Sequence, residues 1–136
     1  MTHVLVIGSG VAGITTALEA EEAGFDVTLV AKAGLAQSNT RYAQGGIAVV
    51  LGDDDSVAEH VADTLVAGAG LSDAETAEVL CEEGPDAVRE LIERGVEFDQ
   101  HDGELSHGLE AAHSHARILH AGGDATGAGI AYALIE

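Results

Sequence analysis

The sequence predicts an α/β fold: a βαβ unit with a parallel sheet, followed by a helical segment, together forming an incomplete domain. Three observations carry this. Residues 3–7, His-Val-Leu-Val-Ile, form a β-branched apolar run that ends at Gly8. Glycines recur at 8, 10 and 13, ahead of a helix-forming stretch over 14–23. A second apolar run, residues 26–31, follows Gly24. Strands that are apolar throughout, rather than alternating, are those of parallel sheets buried on both faces. Strand, glycine turn, helix and strand in succession make a Rossmann-like crossover, expected to be right-handed.

The remaining elements follow in order. Gly24 stands where a helix-stopping glycine belongs. Residues 32–55 hold turn formers and no clear period, apart from an apolar stretch from Gly46 to Leu51, and read as a long functional loop. Ser56 caps a helix to about Ala67, with Val57, Val61, Leu65 and Val66 on one side. Ser72 or Asp73 starts a helix to Glu83, and Pro85 sits in the first turn of a third that ends before Gly95. Val96-Glu97-Phe98 is a short extended piece, residues 99–116 are polar and His-rich, and a last helix runs from about Asp124 to Glu136. The expected organisation is a dinucleotide-binding βαβ unit with its loop over 1–52, a helical segment over 53–98, and a His-rich loop with the final helix over 99–136.

Composition narrows the function. Of 136 residues, 24 are Asp or Glu and five are Lys or Arg, a formal net charge of -19. Such a chain repels phosphate backbones and anionic lipid, which excludes nucleic acid and membrane surfaces as expected partners. No apolar run is long enough to span a bilayer, and Met1-Thr2-His3 leads into the first strand without a basic flank, so a cytoplasmic location is expected. The acid excess has two readings, a solvated face and adaptation to concentrated salt, where carboxylate repulsion is screened. They differ in whether stability rises with salt. The single cysteine, Cys81, permits no internal disulfide and reads as an inert, half-buried thiol on a helix. His113, His115 and His120 lack a carboxylate or thiolate at ligand spacing, so no metal site is expected.

The glycine turn carries the first chemistry. In Gly8-Ser9-Gly10-Val11-Ala12-Gly13, Gly8 permits the tight turn, Gly10 lets backbone approach a pyrophosphate, and Gly13 lets helix pack on strand. Free N–H groups at the helix N-terminus favour the phosphates. At the end of the second strand, where an acid would meet a ribose hydroxyl, stands Lys32, which can donate to ribose or meet a phosphate.

The stretch Ser38-Asn39-Thr40-Arg41-Tyr42-Ala43-Gln44-Gly45-Gly46-Ile47-Ala48, with the glycine turn, resembles the FAD-binding start of the succinate dehydrogenase/fumarate reductase flavoprotein superfamily, and within it the L-aspartate oxidases. Residues 63–71 and 113–127 resemble the same family in order and spacing. The resemblance implies FAD as cofactor, held by residues 8–13, Lys32 and residues 39–46. Hydroxyl, amide and bare backbone groups in that loop suit the edge of an isoalloxazine ring. Asn39 stands where succinate dehydrogenases carry the histidine of covalent attachment, and an amide cannot serve, which implies dissociable FAD. Glu110 stands where the family places an acid that orients a substrate ammonium, although Leu109 and Ala111 replace the usual arginine and glycine. His113 and His120 are expected to line the flavin cavity or bond its loops, and Arg117 to be structural. The implied activity is oxidation of L-aspartate to iminoaspartate, the first step toward quinolinate and NAD, with oxygen or fumarate as acceptor and quinolinate synthase as pathway partner. The family's capping and C-terminal portions are absent from this sequence, so an inactive fragment of such an enzyme is the expectation. A fumarate reductase or succinate dehydrogenase flavoprotein fragment, and a non-enzymatic acidic nucleotide-binding module, are the alternatives.

Overall fold

A computed structural model describes residues 2–136. Strand β1 (His3–Ile7) pairs in parallel with β2 (Asp26–Val30), with Val4 opposite Val27 and Val6 opposite Leu29. Helix α1 (Val11–Glu22) makes the crossover between them. It stops at Gly24 as read from sequence. Gly24, at φ +83°, donates its N–H to Glu21 O, and Phe25 N–H reaches Ala20 O, the doubly bonded Schellman ending.

Burial on both faces of the strands does not hold. Val6 is buried, while Leu5, Ile7 and Val30 are exposed, because the parallel sheet has two strands here and no neighbour covers its second face.

The 32–55 loop contains a 3-10 turn (Thr40–Tyr42) and a short strand, β3 (Ile47–Ala48), within the apolar stretch. Helix α2 (Val57–Ala67) is capped by Ser56, whose Oγ accepts the Glu59 N–H and donates to the Glu59 carboxylate. Its inward residue is His60, whereas Val66 is 80% exposed, a correction to the expected apolar side. The two helices expected over 72–95 are one, α3 (Ala74–Glu93), capped by Asp73 through the Thr76 N–H and running through Pro85. Gly84 explains the continuity: with no Cβ it avoids the clash that drives a residue before proline out of the helix. Pro85 withholds a hydrogen bond from the Cys81 carbonyl, and burial of Ala77, Cys81 and Val88 on one face offsets that loss. Cys81 is fully buried rather than half-buried.

The His-rich region is better ordered than a polar loop. It forms β4 (Gln100–His101) with β5 (Glu104–Leu105), then β6 (His107–Gly108), and β7 (Ile118–Leu119) lies between β6 and β3. The extended 96–98 piece joins no strand but buries Val96 and Phe98. Helix α4 (Thr126–Ile135) closes the chain. Asp124 does not cap it; Thr126 Oγ1 instead accepts the Ala121 N–H at 3.1 Å, fastening the preceding turn.

One core serves all layers: Ile14 from α1, Val49, Val88 from α3, Val96, Phe98, Leu119 from β7, and Ile130 and Leu134 from α4. Each such side chain contributes about 1.5–3 kcal/mol by leaving water. No helix among the described residues is long and apolar enough to cross a membrane.

The Gly13 contact yields the first prediction. A Cβ there would overlap the Gly8 carbonyl, which is backbone and cannot move aside. Gly13→Ala is expected to lower the urea midpoint by an amount equivalent to about 1–3 kcal/mol. Gly34→Ala, in open space, should stay within about 0.5 kcal/mol of the parent.

Candidate functional site

The glycine turn is built as its sequence requires. Gly8, at φ +114°, folds the chain back while its N–H bonds Val30 O at 2.8 Å, fixing the turn to the end of β2. Ser9 is buried beneath it. Gly10 is the N-cap of α1, with no capping side chain and no acid in the first turn. The first amides of a helix lack intrahelical partners. Of these, Val11 N–H donates to Thr40 Oγ1 at 2.9 Å, while Ala12 and Gly13 are left at the positive end of α1.

That bond joins two segments 29 residues apart in sequence. A Cβ on Gly10 would stand 3.5 Å from the Thr40 hydroxyl. The 39–46 loop is itself held from behind. Tyr42 N–H bonds Asn39 O, Ala43 N–H bonds Thr40 O, and Ala43 O accepts the Gly127 N–H from the start of α4 at 3.0 Å. A Cβ on Gly127 would overlap Thr40 O. The Arg41 guanidinium lies over the Tyr42 and Tyr132 rings, at 5.8 and 5.7 Å. Asn39, Gln44 and Gly45 are exposed, Gly45 with nothing near its missing side chain. Gly46 is closed by Ile118, Leu119 O and the His120 ring. Residues 8–13 and 39–46 therefore meet. Lys32 lies exposed in the turn after β2 and makes no ion pair among the described residues.

Two observations fit this place to an anionic dinucleotide. The start of α1 is uncapped and free of acids, as a pyrophosphate requires. The Ser38 hydroxyl, at the entry to the loop, is buried with no hydrogen-bond partner among the described residues.

Glu110 is linked to Gly46 through His120. Its Oε1 stands 3.2 Å from His120 Nε2, and a Cβ on Gly46 would be 3.0 Å from the same nitrogen. His120 thus neighbours both the loop and Glu110. His113 does not; its ring lies 5.7 Å from that of His60 and its Nδ1 3.4 Å from Arg117, at an ion-pair knot.

That knot is what sequence reasoning missed. Arg117, 1% exposed, donates through Nε and Nη2 to both Asp55 oxygens at 2.7 and 2.6 Å, and through Nη1 to Asp63 at 2.7 Å. A planar fork that satisfies one carboxylate bidentately and a second at its other edge is a task for arginine alone. The only available signal was a lone cation flanked by apolar residues in a chain of net charge -19. Asp55, Glu59 and His115 place ligand atoms within 4.8 Å of one another, but both Asp55 oxygens are taken by Arg117.

The knot shifts titrations. The Ser114 amide and hydroxyl, then Arg117, hold the Asp63 carboxyl down at about 2. Burial would raise Asp55, but the bonds from Arg117 and the Ser56 amide keep it below its ordinary value. Burial, then the charge of Arg117, lowers His60. Arg117 is raised by its bonds to Asp55 despite burial.

For the two aspartates the folded value lies below the unfolded one near 3.9, so their stabilisation is full above that value and drains as pH falls through the folded values, about 2 for Asp63. His60, neutral in the fold, likewise loses stability below its ordinary value near 6.5. The urea midpoint should therefore fall steadily in acid. Asp63→Asn should flatten that fall between about pH 4 and 2; an unchanged slope would contradict the assignment.

The chain is similar to known proteins along nearly its whole length. A family model for the FAD binding domain matches residues 3–136. L-aspartate oxidase of Streptomyces coelicolor is 53% identical over 134 residues, covering 98% of this chain and 23% of that protein. The enzyme of the same name from Mycobacterium leprae is 50% identical, covering 96% and 26%. Among solved structures, Mycobacterium smegmatis Sdh1 in complex with UQ1 superposes with a TM-score of 0.89 at 34% identity, over 98% of this chain and 24% of that one. A quinol fumarate reductase of E. coli superposes at 0.89 with 25% identity, over 99% and 24%. The chain spans about a quarter of the length of the curated relatives it matches. With a family match along nearly its full length, beside a glycine turn and an uncapped helix, the chain belongs to the FAD binding domain family and FAD is its cofactor.

Proposed function

We propose that this chain is the FAD-holding N-terminal part of an L-aspartate oxidase, converting L-aspartate to iminoaspartate with oxygen or fumarate as final acceptor. The reaction would feed quinolinate and NAD formation, with quinolinate synthase consuming the unstable product. The observation that carries the reading is His120, whose Nε2 stands 3.2 Å from Glu110 and against Gly46, so that the last glycine of the loop and the candidate substrate acid share one neighbour. The names of the relatives support it.

The roles are these. The amides of Ala12 and Gly13 at the start of α1 meet the pyrophosphate, with Gly8, Ser9, Gly10 and Val11 shaping the approach. Lys32 meets a ribose or phosphate oxygen. Asn39, Thr40, Arg41, Tyr42, Ala43, Gln44, Gly45 and Gly46 flank the isoalloxazine. Asn39 offers no nucleophile there, so the cofactor is non-covalent. FAD bound there would supply the two-electron oxidation of the substrate. The Glu110 carboxylate pairs with the substrate ammonium and turns Cα toward the loop; succinate has no ammonium to pair with. This last point favours an amino acid over succinate, although the fumarate reductase likeness keeps that enzyme class as the competing outcome.

Glu110→Gln in the flavin-loaded enzyme removes one partner of a charge-assisted bond, generally worth about 1.5–3 kcal/mol. KM for L-aspartate is expected to rise on the order of tenfold or more, with FAD affinity unchanged. Turnover of succinate but not L-aspartate by the parent enzyme would overturn the proposal.

A further inference from the structure

The segment that carries Glu110 is fastened at a distance. Asp63, on α2, accepts three bonds on a single oxygen, Oδ2: the Ser114 amide at 2.7 Å, the Ser114 hydroxyl at 2.7 Å and Arg117 Nη1 at 2.7 Å. Asp63 and Ser114 are 51 residues apart, so this is tertiary fastening and not local turn chemistry. Immediately before Ser114, the chain makes a tight turn in which His113 N–H bonds Glu110 O at 3.2 Å. Within that turn Ala112 sits at φ +74°, a left-handed conformation that a residue with a Cβ adopts at some cost. Such a residue persists only where its surroundings over-determine it. Here one side of the turn is pinned at Ser114, and on the other the Glu110 carboxylate reaches His120. The Glu110 side chain is otherwise half-exposed, so little else would fix it.

We propose that Asp63 is a positioning residue for Glu110: by gripping Ser114, with Arg117 holding the grip in place, it imposes the 110–113 turn and thereby sets the carboxylate that meets the substrate ammonium. This rests on the role given to Glu110 above. Arg117 in turn is anchored by both oxygens of Asp55, so Asp63 is presented by a rigid fork and cannot swing away with α2. Losing the grip frees Ala112 to relax into ordinary backbone, and Glu110 moves with it. Displacements on the scale of an ångström are enough to lose up to about a hundredfold in reaction rate.

The test uses the flavin-loaded parent enzyme and three variants, Glu110→Gln, Asp63→Asn and Ser114→Ala. Ser114→Ala removes the hydroxyl's bonds to Asp63 and His115 and leaves the Arg117 pairs intact, which keeps the question open to experiment if Asp63→Asn does not fold. Expected are a rise in KM for L-aspartate on the order of tenfold in Asp63→Asn and a smaller rise in Ser114→Ala, with FAD affinity unchanged in both. Amide hydrogen exchange over residues 110–116 should quicken in both variants. Adding Asp63→Asn to Glu110→Gln should produce no further loss, since the two act through one contact. If Glu110→Gln leaves KM unchanged, the reading of Glu110 itself fails. If Glu110→Gln raises KM while folded Asp63→Asn and Ser114→Ala do not, the positioning role is overturned and Glu110 stands. A loss of FAD affinity matching the rise in KM would also overturn it, reducing Asp63 to general support of the fold.

Discussion

The arrangement depends on places where backbone passes backbone with no room for a side chain. At Gly13, helix α1 lies on the carbonyl of Gly8; at Gly46, the loop end lies on β7; at Gly127, the start of α4 lies on the 3-10 turn. In each case a single added carbon would overlap a main-chain atom or a core side chain. Together these crossings fix the glycine turn, the 39–46 loop, β7 and the start of α4 as one rigid frame, although they come from distant parts of the sequence. The Val11 N–H to Thr40 hydroxyl bond then draws the first two together. Interiors packed this closely transmit position rather than absorb it, which is why the 39–46 loop and the Glu110–His120 pair can be held in fixed relation by small residues.

A second constraint is electrostatic. In a chain of net charge -19, a buried arginine is an obvious device for joining acidic segments. Arg117 does so with two aspartates drawn from the loop before α2 and from α2 itself, and it carries the 113–117 segment with it. Removing one partner of a buried pair is far more damaging than the net worth of the pair, because the other charge stays behind without compensation. The knot thus ties the helical segment to the His-rich segment more specifically than apolar contact could. Its geometry also draws two histidines to the arginine. His113 and His115 both present Nδ1 to Arg117 at 3.4 Å.

Much of this was legible in the sequence, and the failures are instructive. Gly8, Gly24 and Ser56 announced their turns and caps because those signals are local and steric. The continuity of α3 through Pro85 is hidden in the sequence because a proline signals a break, whereas its tolerance here depends on the missing Cβ of Gly84 and on the buried face of the helix. The exposed face of β1 was missed because periodicity reports what a strand is suited to bury, not whether a neighbouring strand is there. Val66 and His60 exchanged roles because α2 turns toward the Arg117 knot, and a knot made of residues 55, 63 and 117 leaves no periodic trace. The loop residues 39–46 and Glu110 were recognisable only by resemblance. Nothing in their spacing alone says that Thr40 meets Val11 or that His120 links Gly46 to Glu110.

The most direct measurement is the amide NMR spectrum of the isotopically labelled chain during titration with FAD. The largest shifts are expected at Gly8–Gly13 and Asn39–Gly46, with His120 next and the 750 Å³ cavity around Val96, Phe98 and Gln100 unaffected. Shifts confined to that cavity, or spread over one of the two stretches while the other stays silent, would contradict a single dinucleotide held between them.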